Sequence, residues 1–191
     1  MNDLKDVISR VKGLILAPGK EWEIIETERL SELDLYRRYI ALLAAIPPFA
    51  SFLGSWLFGT HGLHPTFGAG LFRAVVQYAL SLPALYLVAF VISMAAPSFD
   101  GKSDDRRALT LAAYSYTPAW LAAAFGLVPG LRFLDVLGFY GIYVFSLGLT
   151  RMMRVPKDNL DVFTLVALFL TVSMGALHAW VVSLIAPAQL L

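Results

Sequence analysis

Five stretches of this chain run for about the length of a bilayer core with almost no charge. Tyr39 to Phe58, Ala74 to Ala96 and Ala108 to Leu131 carry none. Phe133 to Thr150 carries one acid, Asp135, and Val162 to Leu191 carries none. A helix needs roughly 20 apolar residues to cross the hydrocarbon core. The Pro129-Gly130 pair should end the third helix early. The expected spans are therefore about 39–58, 74–96, 108–128, 133–150 and 162–186. The predicted class is all-α: a polytopic, five-transmembrane-helix bundle.

Composition excludes the soluble alternative. Of the 191 residues, 58% are hydrophobic and 15% charged, against roughly 25% charged in an ordinary soluble domain. A soluble fold this small cannot hide that much apolar surface. There is no cysteine, which excludes a disulfide framework or a thiol nucleophile. The three histidines are His61, His64 and His178. His61 and His64 sit in one glycine-rich loop without a nearby acid, a poor metal site. No cofactor motif and no nucleic-acid signal is present, and a hydrolase constellation is missing. An enzyme is not expected.

Orientation follows from the basic residues. Lys5, Arg10, Lys12, Lys20, Arg29, Arg37 and Arg38 precede span one. Lys102, Arg106 and Arg107 follow span two; Arg151, Arg154 and Lys157 follow span four. Arg73 and Arg132 alone fall on the other side. This places the N-terminus in the cytoplasm of an inner membrane and, after five crossings, the C-terminus in the periplasm. The first 38 residues contain no long apolar run, so span one is expected to act as an uncleaved signal anchor.

Residues 1–37 read as cytoplasmic helices, and 38–191 as the membrane domain. Leu4, Val7, Ile8, Val11, Leu14 and Ile15 recur at helical spacing, with Asp3, Lys5, Asp6, Arg10 and Lys12 elsewhere on the wheel. That pattern is an amphipathic helix ending at Pro18-Gly19. A second short helix should carry Trp22. Ser31-Glu32-Leu33-Asp34 reads as the capping box that opens span one. Seven basic and eight acidic side chains share residues 1–38. Lipid-binding helices are usually net basic, so protein contact is the better reading for these helices.

The short motifs fall in a particular order along these spans. Pro18-Gly19-Lys20-Glu21-Trp22-Glu23 precedes span one, and Phe99-Asp100-Gly101-Lys102 follows span two. Tyr114-Ser115-Tyr116-Thr117-Pro118-Ala119-Trp120 lies in span three. Tyr140-Gly141-Ile142-Tyr143 lies in span four, with Val155-Pro156-Lys157 after it. Together they resemble the bacterial branch of the Yip (Ypt/Rab-interacting protein) membrane protein family. The resemblance implies a non-enzymatic adaptor or membrane-organising protein. Bacteria lack the Rab machinery, so that role does not transfer, and the family brings no catalytic residue.

Four ionisable residues are expected near the outer face: Arg73, Arg132, Asp135 and His178. Ionisable groups inside a membrane are costly and often functional, so a transport cluster for an ion, lipid or anionic metabolite is the alternative function. The plainer reading has the arginines snorkelling to the interface and Asp135 pairing with one of them. Pro47-Pro48, Pro83 and Pro118 should kink their helices. Beside Pro118, the hydroxyls of Tyr114, Tyr116 and Thr117 are candidates to line a cavity or to satisfy freed carbonyls. Gly138, Gly141, Ser146 and Gly148 offer small-residue contact points in span four, for packing or self-association. Gly101-Lys102-Ser103 is not a phosphate loop, because the upstream glycine is replaced by Ala95 and no strand precedes it. Ser103, Asp104 and Asp105 read instead as a helix cap.

Overall fold

The computed structural model describes residues 4–28, 30–59 and 65–186. His61 and His64 lie outside the described residues. The protein is all-helical, 88% by residue, with no strand among the described residues. Helix α1 covers Leu4–Leu16 and α2 covers Pro18–Thr27. Among the described residues, four helices are long and apolar enough to cross a membrane: α3 (Glu32–Phe58), α4 (Phe67–Phe99), α7 (Gly130–Met152) and α8 (Lys157–Ile185). Between them lie the shorter α5 (Asp105–Ser115) and α6 (Thr117–Ala122).

The segment expected as span three is therefore divided. It is helical from Asp105 to Ser115, turns at Tyr116, resumes at Thr117, and tightens to a 3-10 helix over Ala123–Leu127. Pro118 sits at the start of α6, where a missing N–H costs least. Contacts with other helices fix both of its ends. At its start, the Lys102 N–H donates to the Met153 carbonyl at 2.7 Å. At its finish, the Gly126 and Leu127 carbonyls lie against Gly54 of α3. We call these the basic end and the far end.

The other prolines act unequally. In α3 a π-helical turn over Tyr36–Ile40 and a break at Ala44 and Ala45 precede Pro47 and Pro48. In α4 the helix passes through Pro83 without interruption. The start of α7 is a 3-10 helix, Pro129–Phe139, that becomes α-helical at Tyr140. Ser31 caps α3 as the sequence suggests, its Oγ accepting from the Asp34 N–H at 3.1 Å. The α5 cap is Asp104, which accepts from the Arg107 N–H at 2.9 Å. Ser103 instead pairs with Ser93 at 3.0 Å.

At the basic end, the two loops that carry the short motifs are tied together. The Asn159 amide donates to the Phe99 carbonyl (3.2 Å) and to the Asp100 carboxylate (2.9 Å). Phe99 stacks on Phe163 at 4.6 Å. Asp100 takes the left-handed conformation that turns the chain back. The outward faces of the long helices are apolar: Phe90 and Met94 on α4 and Leu165, Phe169 and Trp180 on α8 are exposed. Large exposed apolar faces on long helices are what lipid tails cover.

Candidate functional site

The core at the basic end is built from the N-terminal helices. Trp22 of α2 is fully buried between α7 and α5. Its indole N–H donates to the Val144 carbonyl at 2.9 Å. Gly148 makes room for the ring: a methyl there would lie 2.5 Å from Trp22 and 2.6 Å from Leu111. Tyr114 meets Trp22 edge-on at 6.1 Å and Tyr39 at 4.8 Å. The Tyr39 and Thr117 hydroxyls pair at 2.6 Å.

Arg10 lies beside this aromatic group. It is 8% exposed and forms ion pairs with both Glu21 and Glu28, while its guanidinium lies 5.6 Å from the Tyr114 ring centroid. Burial pulls its pKa down, but Tyr114, Glu28 and Glu21 together outweigh that and leave it raised. Arg10 is therefore charged at any physiological pH. At the bundle's edge, Arg151 of α7 binds Glu23 at 2.7 Å and Glu26 at 3.4 Å. The Tyr140 hydroxyl donates to the Ile15 carbonyl at 3.1 Å. Helices α1 and α2 thus form a hairpin that penetrates the bundle alongside α7.

That placement splits the apolar stripe expected for α1. Val7 and Leu14 are buried with Arg10, whereas Leu4, Ile8 and Leu16 are exposed. The periodic pattern puts Arg10 on the polar face. Its carboxylate partners, 11 and 18 residues away, pull it inward.

The four outer ionisable residues do not come together as one cluster. Arg73 donates to the Ala186 carbonyl, and His178 pairs with the Gln77 carbonyl at 3.2 Å. Both contacts lie between α4 and α8. Arg132 and Asp135 lie on the exposed 3-10 start of α7. Among the described residues neither forms an ion pair.

Asp135 instead borders a cavity of about 280 Å³ lined by α4, α5, α6, α7 and α8. The cavity wall is mostly apolar, with Ile92, Phe145 and Leu168, and its polar residues besides Asp135 are Ser115, Tyr116, Thr164 and Thr171. Tyr116 also borders a smaller cavity of about 110 Å³ that His178 lines. The Tyr114 to Pro118 run is thus divided. Tyr114 faces a polar cavity of about 370 Å³ at the basic end with Glu28, Arg106 and Arg107. Thr117 and Pro118 are buried in packing.

The glycines of α7 are used within the chain. A methyl on Gly141 would lie 2.5 Å from the Ser115 carbonyl, and one on Gly138 would lie 3.1 Å from the Ala119 Cα. With Gly148 against Trp22, three of the four small contact points expected in span four meet α2, α5 and α6. Ser146 is half-buried, its hydroxyl returned to the Tyr143 carbonyl.

The family described as the Yip1 domain matches residues 12–181 of this chain. The chain belongs to the Yip1 domain family. The match includes α2 with Trp22, the tied loops at the basic end and all of α7. The chain is similar to the inner membrane protein YohC of Escherichia coli K12, 27% identical over 161 residues, which covers 80% of this chain and 83% of that protein. The same protein from Escherichia coli O6:H1 matches to the same extent. No solved structure matches the chain. Membership establishes a membrane protein and assigns no catalytic residue. Sequence reasoning missed Arg10 and Trp22 as interior residues. Trp22 had a signal, because a tryptophan bounded by Glu21 and Glu23 is ill suited to a solvated helix.

Proposed function

We propose that this protein is a non-enzymatic membrane-organising or adaptor protein of the bacterial inner membrane, acting through helix packing and its N-terminal hairpin. The observation that carries this reading is the dispersal of the outer ionisable groups. Arg73 and His178 are engaged by backbone carbonyls, and Asp135 borders a largely apolar cavity. A conducted ion needs a succession of polar ligands through the membrane, and these side chains do not form one. The hairpin presents Leu4, Ile8, Leu16 and Ile24 outward, which suits a protein or lipid neighbour.

The reading includes an orientation. The basic end lies in the cytoplasm, in keeping with the bias of lysine and arginine. Residues 105–127 count as a fifth crossing, supported by the contacts at their two ends. The C-terminus is then periplasmic. A periplasm-active reporter fused there is expected to be active; an inactive fusion refutes the orientation or the count. The relative's inner-membrane description supports the compartment.

A small transporter is the second reading, and one observation favours it: Asp135 borders a cavity that also holds buried hydroxyls. A liposome flux assay separates the two. Wild type and Asp135→Asn are expected to leak ions and small anions no faster than protein-free vesicles. A protein-dependent flux that Asp135→Asn abolishes would establish transport instead.

A further inference from the structure

Hydroxyls inside membrane helices usually return a hydrogen bond to the preceding turn. Thr110 does so to the Arg106 carbonyl at 2.8 Å, Ser81 to Tyr78 at 2.7 Å, and Thr150 to Leu147 at 3.1 Å. Ser115 and Thr164 break this pattern. Both line the 280 Å³ cavity, and neither Ser115 Oγ nor Thr164 Oγ1 has a hydrogen-bond partner among the described residues. Ser115 is 7% exposed. A buried hydroxyl left unsatisfied is costly, so two on one cavity wall favour an occupant that hydrogen-bonds.

The wall narrows what that occupant is. Asp135 is its one carboxylate, and no lysine, arginine or histidine lines it. An anionic head group is therefore disfavoured. Exposed Asp135, Phe139 and Val172 lie on the cavity's rim, so it opens sideways between α7 and α8, where an amphiphile enters from the bilayer. Ser115 lies ten residues along the helix from Asp105, about 15 Å at 1.5 Å per residue. That is about half of a hydrocarbon core of roughly 30 Å. Ester carbonyls of phospholipids stay near the interface. Thr164, four residues on from Leu160, lies nearer the interface; an oxygen that also reaches Ser115 belongs to an uncharged lipid whose apolar chain carries it inward.

We infer that the cavity between α7 and α8 binds an uncharged lipid, an apolar chain ending in a hydrogen-bonding oxygen group, with Ser115 and Thr164 as its polar contacts. Two sources share this chemistry: a prenylquinone with carbonyl oxygens, and a long-chain or prenyl alcohol. The site is separate from any conduction function and leaves the membrane-organising reading intact.

The test uses the full chain in nanodiscs, titrated with a short-chain prenylquinone, with a prenyl alcohol and with an alkane of matched length. Binding is read by displacement of a photoreactive prenyl probe, whose crosslinks are mapped to peptides. The quinone or the alcohol is expected to bind at least tenfold more tightly than the alkane, with crosslinks on α7 and α8. The double variant Ser115→Ala, Thr164→Val removes the two hydroxyls with little change in shape. It is expected to lose about tenfold in affinity for the oxygen-bearing ligand and none for the alkane. Leu168→Trp, which fills the cavity, is expected to abolish crosslinking of every probe while thermal unfolding confirms a folded chain. Equal binding of the alkane, or an unchanged affinity in the double variant, reduces the site to an apolar groove and overturns the inference. So does the absence of saturable binding by either oxygen-bearing probe.

Discussion

The two halves of this bundle treat buried polar atoms differently. Toward the basic end, the terminal nitrogens of Arg10 have two carboxylates and only its Nε lacks a partner among the described residues, the Trp22 indole has the Val144 carbonyl, and Tyr39 has Thr117. Around the lateral cavity, Ser115 and Thr164 carry hydroxyls that no described residue satisfies. Apolar burial gives little net drive between helices in lipid, because the tails are as apolar as leucine; close packing and hydrogen bonds do the joining. The first half is built to hold the hairpin in place. The second keeps hydrogen-bonding capacity in reserve, which suits a ligand and not a scaffold.

The contrast makes the sharpest demands at Trp22. Trp22→Ala should destabilise the protein by about 3–5 kcal/mol, the usual cost of deleting a buried ring, read by unfolding in nanodiscs. Trp22→Phe keeps most of the volume and should lose roughly 1 kcal/mol for the bond to Val144. Equal losses would mean that ring packing is not what anchors the hairpin. Arg10→Met comes next, at roughly 2 kcal/mol, because it strands the half-buried Glu21 carboxylate while Glu28 keeps its access to solvent. Adding Glu21→Gln should recover part of the loss. If it recovers none, the charges are screened by solvent and the hairpin is not inserted.

Smaller effects test the packing between halves and the reserve itself. Gly141→Ala should cost roughly 1–3 kcal/mol, since its methyl meets the Ser115 carbonyl and overpacked interiors lose about that much. Ser115→Ala should have the opposite sign: no loss, or a gain of up to about 1 kcal/mol, because it removes an unsatisfied hydroxyl. A loss above that size would show that the Ser115 hydroxyl has a structural partner and would dissolve the contrast. Asp135→Asn should change stability by less than about 0.5 kcal/mol, as exposed substitutions do.

Much of the architecture was legible in the residues. That α3, α4 and α8 are long apolar helices follows from their charge-free runs, and the start of α3 from the cap at Ser31, which is a local hydrogen bond; α4 and α8 begin before those runs, at Phe67 and Lys157. The division of span three was half legible: Pro118 marks it, but whether a helix tolerates a proline depends on its neighbours. Pro83 shows this, since α4 runs straight through it. The candidate polar cluster was the least legible part. Its four members have similar positions along their helices, yet contact depends on how each helix is rotated about its axis. That rotation directs Arg73 and His178 into the α4–α8 seam and Asp135 to the cavity on another side.

The sequence by itself determined that this chain is a membrane protein with long apolar helices and that it belongs to the Yip1 domain family. These depend on composition, on length and on motif order, all of which are properties of the chain alone. Tertiary structure decided that the N-terminal helices are an inserted hairpin, that α7's glycines are spent inside the chain, and that two hydroxyls face a cavity. Those outcomes depend on contacts between residues up to 128 positions apart. Periodicity along a single helix carries no record of such contacts. It marked Arg10 as surface, and two distant glutamates made it core.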